Sequence, residues 1–278
     1  MSTEVNIKEC RRGEVVLIAG GGRVMTDIAA RFVGSERSMD DIITSPYSKK
    51  IVENILKSGH LAATEFDNYI FGISGFSRVT EVQLVRKRLA SYMIKSGRSN
   101  KNGKRGYNVV IPHDIFGIAG SMKVSTGNIV VTNPETHEVA KLSEVHPEWE
   151  ATVTMDTIDI LNILADWYDN GVENDVPEED LRYMKPQATE FKAIVMMNAH
   201  GLMDWFKIRC CKNAQHEIRD LAMKMRAIVK HVSPDIFANA GASCQVLGYC
   251  PENGRQNPAC VGKIPTHEDV LEMIKNRK

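Results

Sequence analysis

The sequence predicts an α/β (α+β) domain in which long helices pack on a sheet. Three apolar, β-branched runs have the composition of strands, and longer stretches repeat apolar residues every three or four positions, as amphipathic helices do. The chain has 278 residues, of which 43% are hydrophobic, so it can fill a core. We find no internal repeat and predict one main domain over residues 1–240, with an insertion at about 100–150, and a cysteine-containing tail over 241–278.

The first elements are a strand, a turn and two helices, followed by a second strand. The run Glu14–Ala19 predicts a strand that ends at the glycines 20–22, and a helix follows. A phosphate-binding P-loop would continue into Gly-Lys-Ser/Thr, whereas Arg23 follows here, so we predict a structural turn. Residues 51–57 predict a short helix, and 68–74 predict the second strand.

The middle of the chain changes pattern twice. From Val79, apolar spacing predicts one amphipathic helix with the stripe Val82, Val85, Leu89 and Tyr92. A basic, glycine-rich loop follows at 98–106, and the mixture of short β-type runs with Gly and Pro at 109–147 predicts a small strand-rich excursion. Residues 153–170, which precede Gly171, predict a helix that buries Ile158, Leu161, Leu164 and Ala165.

The last part of the main domain predicts a strand and one long helix. The strand is 191–197, and the helix runs from Asn198 to about His231, before Pro234. Its second half places on one face the apolar residues Ile218, Leu221, Ala222, Met225, Ile228 and Val229.

Charge and composition exclude several classes of function. Lys and Arg number 35 and Asp and Glu number 35, so no overall basic field attracts nucleic acid or an anionic membrane. No run of about 18 apolar residues predicts a membrane span, and the first twelve residues are polar, so we expect a cytoplasmic protein. Nucleic-acid binding through the loop 98–106 would need stacking aromatics, and only Tyr107 is near.

One segment of this neutral chain is strongly basic. Residues 75–99 contain a single acid, Glu81, and the cations Arg78, Arg86, Lys87, Arg88, Lys95 and Arg98. Such a cluster indicates an anionic partner, for which guanidinium groups are well suited, and the alternative is a solvated basic helix. Arg182 and Arg209 lie outside this segment.

Two sequence blocks resemble one known family. The run GFSRVTEVQLVRKRLASYMIKSGR at 75–98 resembles the Gly-Ile-Ser-Arg, Gln, Arg-His-Arg and Ser-x-Asn-Glu-x-Ser-x-Arg signature of the flavin-dependent thymidylate synthases, the ThyX family. The run MNAHGLMDWFKIRCCKNAQHEIR at 197–219 resembles that family's second block. The blocks stand in the family's order, and the similarity extends over most of residues 10–240.

The resemblance implies a ThyX-like fold, a homotetramer and an activity. The family transfers a one-carbon unit from methylenetetrahydrofolate to C5 of dUMP, with FAD that takes hydride from NADPH. Arg209 is implied to polarise the uracil ring, Ser96 is implied as a further catalytic residue, and no cysteine nucleophile is required. The implied contacts to the pyrimidine nucleotide monophosphate are Gln83, Arg86, Ser96, Gly97, Arg98, Arg182 and Arg209.

The positions on the flavin side depart from the family pattern. The implied cofactor contacts are His60, Arg86, Lys87, Arg88, Asn198, His200 and Asp204. Departures occur at Lys87, Met93, Ile94, Ser99, His200, Asp204 and Asn213, and Ile94 replaces a Glu that can orient water or accept a proton. Two alternatives therefore stay open: methylation or hydroxymethylation of another pyrimidine nucleotide (UMP or dCMP), and a nucleotide-binding paralogue without catalysis.

The cysteines form a separate question. Cys244, Cys250 and Cys260, with Cys210 or Cys211, have the chemistry of a zinc or iron–sulfur site. Because their spacing is irregular, we predict reduced thiols and assign no metal ligand.

Overall fold

The computed structural model describes residues 7–9, 13–21, 24–96, 107–116, 122–125, 130–145, 152–252 and 254–276. The strands are β1 (Ile7–Glu9), β2 (Glu14–Ala19), β3 (Asn68–Ser77), β4 (Ser91–Ile94), β5 (Val109–Ile111), β6 (Met122–Ser125), β7 (Val130–Thr132), β8 (Val139–Lys141), β9 (Thr152–Met155) and β10 (Glu190–Asn198). The helices are α1 (Val24–Gly34), α2 (Met39–Ile43), α3 (Lys49–Ser58), α4 (Arg78–Leu84), α5 (His113–Phe116), α6 (Leu142–Val145), α7 (Thr157–Glu173), α8 (Glu178–Leu181), α9 (Ala199–Arg209), α10 (His216–Val232), α11 (Pro234–Phe237), α12 (Ser243–Leu247) and α13 (His267–Lys275). Short 3-10 helices occupy Leu61–Phe66, Arg182–Met184 and Pro258–Cys260.

The chain divides into two compact units. The larger contains residues 10–95 and 190–278, and the smaller contains 1–9 and 96–189. The larger unit holds a four-stranded antiparallel sheet in the order β2-β3-β10-β4. None of the helices in the described parts of the chain is both long enough and apolar enough to cross a membrane.

The core of the larger unit lies between one face of this sheet and the helices α9 and α10. Alternate residues of β10 are buried, which is the two-residue period of a strand with one covered face. The buried residues that meet there include Tyr69, Phe71, Val195, Leu202, Phe206, Ile218, Leu221 and Met225. On the opposite face Val16, Met93 and Ile194 are exposed. The sheet and α9 therefore fix the positions of the motif residues that they carry.

The smaller unit has its own small core. The helix α7 begins at a capping box in which Asp156 and Asp159 satisfy each other's backbone N–H groups. Its buried residues pack with β5 and α8 in a cluster of Tyr107, Val109, Ile111, Leu161, Ala165, Tyr168 and Leu181. Short strand pairs, β1 with β5, β6 with β9 and β7 with β8, account for the predicted strand-rich excursion.

Most of the predicted elements are present. The strands β2, β3 and β10 and the helix α3 contain the runs that predict them, and α1 follows the glycine turn as expected. The chain turns after β2 as expected, and this turn requires glycine at position 20, which has φ 104° and where a Cβ would collide with the backbone oxygen of Asn68. The helix predicted over 153–170 begins instead at Thr157, because residues 152–155 pair with β6 as β9.

Two predicted helices are wrong in extent. The helix predicted from Val79 to Tyr92 ends at Leu84, and Tyr92 lies in β4, paired with Val195 of β10. The single helix predicted from Asn198 to about His231 is two helices, because the chain turns after α9 and Gln215 caps the start of α10. Its oxygen accepts hydrogen bonds from the backbone N–H groups of residues 217 and 218, which lack partners within the helix. The predicted apolar face of α10 is buried apart from Ile228, which is half-buried.

Candidate active site

The end of α9 meets α4 through one arginine. Arg209 donates from Nη1 to Oε1 of Gln83 and from Nη2 to the backbone oxygen of Gln83, both at 3.3 Å. Burial, and then the positive charge of Arg86, lowers the pKa of Arg209. A guanidinium remains protonated under such a shift, so two cations stand close together beside a side-chain amide. This arrangement is suited to an anionic, hydrogen-bonding ligand.

The loop that follows α4 is fixed by a tyrosine. The hydroxyl of Tyr92 lies 2.9 Å from the backbone oxygen of Leu84 and 2.8 Å from that of Lys87. Burial raises the pKa of Tyr92 to about 12, so the hydroxyl keeps the proton that it donates to these acceptors. The Arg86 and Arg88 side chains, which are exposed, are carried on this held segment. Tyr92, which lies in β4 of the sheet, therefore fixes the conformation of the basic loop.

The start of α4 is fixed by Glu217, a residue of the second motif block. Glu217, which is buried in α10, accepts a hydrogen bond from the backbone N–H of Ser77 at 2.6 Å and another from the hydroxyl of Ser77. Ser77 is the residue immediately before α4, so the carboxylate satisfies a backbone donor and places negative charge at the helix start. Glu217 thereby sets the position of the helix that presents Gln83.

A second polar group surrounds the start of α9. Asn198 caps this helix, and its Oδ1 accepts from the N–H of Gly201 at 2.7 Å. Nδ1 of His200 lies 3.0 Å from Oε1 of Glu65, and Nε2 lies 3.7 Å from Oδ2 of Asp204. A Cβ added to Gly201 would stand 3.6 Å from Cε of Lys87, so the lysine side chain reaches this helix start.

Asp204 balances the charges in this group. Burial acts to raise its pKa, but the hydrogen bond and charge of Lys207, followed by the charges of His200 and Lys87, lower the pKa overall. Nζ of Lys207 lies 2.9 Å from Oδ1 of Asp204. The carboxylate is therefore ionised and surrounded by basic groups.

The structure brings together only part of the predicted site. Gln83, Arg86 and Arg209 form one group, and Lys87, Asn198, His200 and Asp204 form the second. His60 is exposed and immediately precedes the 3-10 helix that carries Glu65, and Arg88 is exposed.

The remaining predicted residues belong to the smaller unit, lie outside the described residues or have an apolar side chain. Ser96 and Arg182 belong to the smaller unit, where Nε of Arg182 donates to the backbone oxygen of Glu179 at 3.1 Å. Gly97, Arg98 and Ser99 lie outside the described residues. Ile94 is half-buried against the core of the larger unit. Because its side chain is a hydrocarbon, this position presents no ionisable group.

Sequence reasoning missed the roles of Tyr92, Glu217 and Glu65. Tyr92 was predicted as one residue of a helical stripe, and the other two carried no local signal. Tyr92 contacts the loop after α4, Glu217 contacts Ser77 and Glu65 contacts His200. Each partner therefore lies outside the element that carries the contacting residue. The aromatic, β-type composition of residues 91–94 was the one available sign that Tyr92 lies in a strand.

Comparison with known proteins assigns the family. Residues 18–235 match the family model described as thymidylate synthase complementing protein. The flavin-dependent thymidylate synthase of Geobacter sulfurreducens is 33% identical over 230 residues, which are 82% of this chain and 85% of the relative. This chain belongs to the flavin-dependent thymidylate synthase family. The family resemblance of the two motif blocks is thereby confirmed.

A second relative and a solved structure are also similar to this chain. The flavin-dependent thymidylate synthase of Sulfolobus acidocaldarius is 30% identical, with 95% of this chain and 94% of the relative aligned. Among solved structures, the UMP/dUMP methylase PolB from Streptomyces cacaoi bound with 5-Br dUMP superposes with a TM-score of 0.59 at 15% identity, over 84% of this chain and 96% of that one. The predicted fold class is confirmed by this likeness.

Proposed function

We propose that this chain transfers a one-carbon unit from methylenetetrahydrofolate to C5 of dUMP, in a reaction that uses FAD and NADPH. The observation that carries the proposal is the group of Gln83, Arg86 and Arg209, which joins two basic side chains to a side-chain amide in the larger unit. Membership of the flavin-dependent thymidylate synthase family supports the same assignment.

Arg209 has the properties needed to activate the base. When C5 of uracil becomes nucleophilic, negative charge develops on the ring carbonyls and N3, and a fixed donor aimed at that charge lowers the barrier. Gln83 accepts hydrogen bonds from two of the guanidinium nitrogens of Arg209 and so fixes the plane of that side chain. The remaining N–H groups can serve the base, because a guanidinium has five donors.

Arg86 is suited to the nucleotide phosphate. It is exposed, it lies two residues after the end of α4, and its charge is close enough to act on Arg209. A phosphate between or beside two guanidiniums would relieve the repulsion between them through charge-assisted hydrogen bonds. Arg182, Arg98, Gly97 and Ser96 are further proposed contacts, on the strength of the family motif.

The residues around the start of α9 fit an anionic flavin dinucleotide. Gly201 leaves a space beside Lys87 and Asn198 that a Cβ would fill, and α9 begins there with 11 residues of helix behind it. A helix start and a lysine together suit a pyrophosphate. FAD reduced by NADPH would supply the hydride that completes the methyl group. Lys87, Asn198, His200 and Asp204 would hold it, together with Arg86, Arg88 and His60.

We also propose that the active enzyme is a homotetramer. The uncovered face of the sheet supports subunit packing, because Val16, Ile18, Met93 and Ile194 are exposed there. Light scattering of the purified chain measures the assembly, and a monomer at micromolar concentration would contradict this part of the proposal.

Product identification tests the proposed reaction. The full-length chain is incubated with dUMP, UMP or dCMP, together with methylenetetrahydrofolate, NADPH and FAD, and the nucleotides are analysed by mass spectrometry. A gain of one CH₂ unit on dUMP is the expected result. A gain of CH₂O would instead indicate hydroxymethylation. Preferential turnover of UMP or dCMP would identify that nucleotide as the substrate, and binding without turnover would indicate a paralogue without catalysis.

A further inference from the structure

Five cysteines of the larger unit line one cavity: Cys210, which is buried, and four that are half-buried. Cys211 follows α9, Cys244 lies in α12, Cys250 forms a β-bridge with Thr266, and Cys260 ends the last 3-10 helix. The cavity has a volume of about 650 Å³, and these thiols are free of disulfide bonds. Gln83, Arg86 and Arg209 are absent from its lining, so the cavity is distinct from the proposed base-binding group.

The segment that carries three of these thiols has no hydrophobic core of its own. Between residues 243 and 276, no residue that the structure describes is buried, and Leu247, Val261 and Ile274 are exposed. The segment nevertheless forms α12, α13 and a bridged loop. Small structures that bury little apolar surface are usually held by disulfides or metal centres. Thiols that line the same cavity could supply ligands for such a centre.

The arrangement of the thiols favours a cluster over a single ion. Among the His, Cys, Asp and Glu side chains of the described residues, no group of three or more could hold one metal ion. A single zinc ion coordinates all of its thiolates directly, with Zn–S distances of about 2.3 Å. In a [4Fe–4S] cluster each thiolate binds a different iron, so the sulfurs stand farther apart around a larger body. A cavity of about 650 Å³ lined by these thiols has room for such a body.

The charges of the lining complement an anionic cluster. Lys207, Lys212 and Arg219 face the cavity together with one acid, Glu252. Lys207 is paired with Asp204, which leaves Lys212 and Arg219 as the basic groups at this site. A [4Fe–4S] core with four thiolates has a net charge of about −2 in its oxidised form. The two cations can offset this charge.

Cys211 is the better of the two adjacent thiols. Both thiols line the cavity, but Cys210 is buried in the main core, whereas Cys211 is half-buried. Cys211, Cys250 and Cys260 each lie close enough to Cys244 to interact with it electrostatically.

We propose that Cys211, Cys244, Cys250 and Cys260 ligate a [4Fe–4S] cluster that holds the C-terminal segment to the end of α9. The cluster goes beyond the proposed nucleotide chemistry and does not depend on it. It also replaces our sequence-based expectation of reduced thiols without a metal.

Metal and sulfide analysis of the full-length chain tests the proposal. The protein is purified without oxygen, and iron, zinc and acid-labile sulfide are measured per chain, quantities to which bound flavin does not contribute. We expect about four irons and four sulfides. About one zinc without sulfide, paired disulfides among the four cysteines, or less than about a tenth of an equivalent of either metal would each overturn it.

Variants assign the ligands. Cys250→Ser and Cys260→Ser are expected to lose most of the iron and sulfide, whereas Cys210→Ser, which changes the adjacent thiol, is expected to retain them. Retention of iron in both tail variants would contradict the assignment. If a variant does not fold, the analysis of the unmodified chain still decides whether a cluster is present. Failure of dUMP turnover in the unmodified chain would leave the iron and sulfide result unaffected, so the two proposals fail separately.

Discussion

Arg209→Lys is the substitution that isolates the fixed geometry of the guanidinium from its charge. In the unmodified chain two guanidinium nitrogens donate to Gln83 at 3.3 Å, and these bonds fix the direction of the remaining donors. Lysine keeps the charge but has no planar fork. Loss of one donor aimed at developing negative charge typically costs about 3 kcal/mol, or about 100-fold in rate. We therefore expect kcat to fall by about 100-fold, with a less than about tenfold increase in the Kd of dUMP.

The assay separates the chemical step from binding. Product formation from saturating dUMP is followed by mass spectrometry, and Kd is measured by calorimetry on the same preparation. Arg37→Lys is the matched control, because Arg37 is exposed and donates to the backbone oxygen of Asp41 at 3.2 Å, and its kcat should stay within about twofold. An unchanged kcat in folded Arg209→Lys, or a loss confined to Kd, would refute the catalytic role.

Three other substitutions test the supporting contacts. Tyr92→Phe removes the hydroxyl that holds the loop at Lys87, and we expect about 1 kcal/mol less unfolding free energy in urea, with weaker dUMP binding; unchanged values for both would contradict the role. Glu217→Gln weakens a buried acceptor for Ser77 and should lower the unfolding free energy by about 1–3 kcal/mol. An unchanged unfolding free energy in the same urea titration would contradict that capping role. The lowered pKa of Asp204 predicts stabilisation above its ordinary pKa of 3.8 that is lost as pH falls through the lower folded value. Asp204→Asn should flatten this dependence in acid titrations, and an unaltered profile would count against it.

Local composition predicts the strands well but not the end of the α4 helix. The runs that form β2, β3 and β10 are apolar and β-branched, so short-range information suffices. The spacing from Val79 to Tyr92 also satisfies a helical period, yet Tyr92 pairs with Val195, about a hundred residues later in the chain. Pairing with a distant strand outweighs the local period after Leu84.

The candidate site divides in the same way. The motif blocks predict Gln83, Arg86 and Arg209, because residue type and order carry that information. The contacts that position them depend on the tertiary fold: Glu217 reaches Ser77 across 140 residues, which no local pattern can signal. The cysteines show the converse, since their irregular spacing gives little indication of a site until the fold brings them to one cavity.

A crystal structure of the full-length protein with dUMP tests the central claim most directly. The claim is that Arg86 and Arg209, held by Gln83 and the Tyr92-bound loop, bind one pyrimidine mononucleotide. The account predicts guanidinium nitrogens of Arg209 within hydrogen-bond distance of the uracil carbonyls or N3, and those of Arg86 at the phosphate. A nucleotide bound with neither arginine in contact would contradict it.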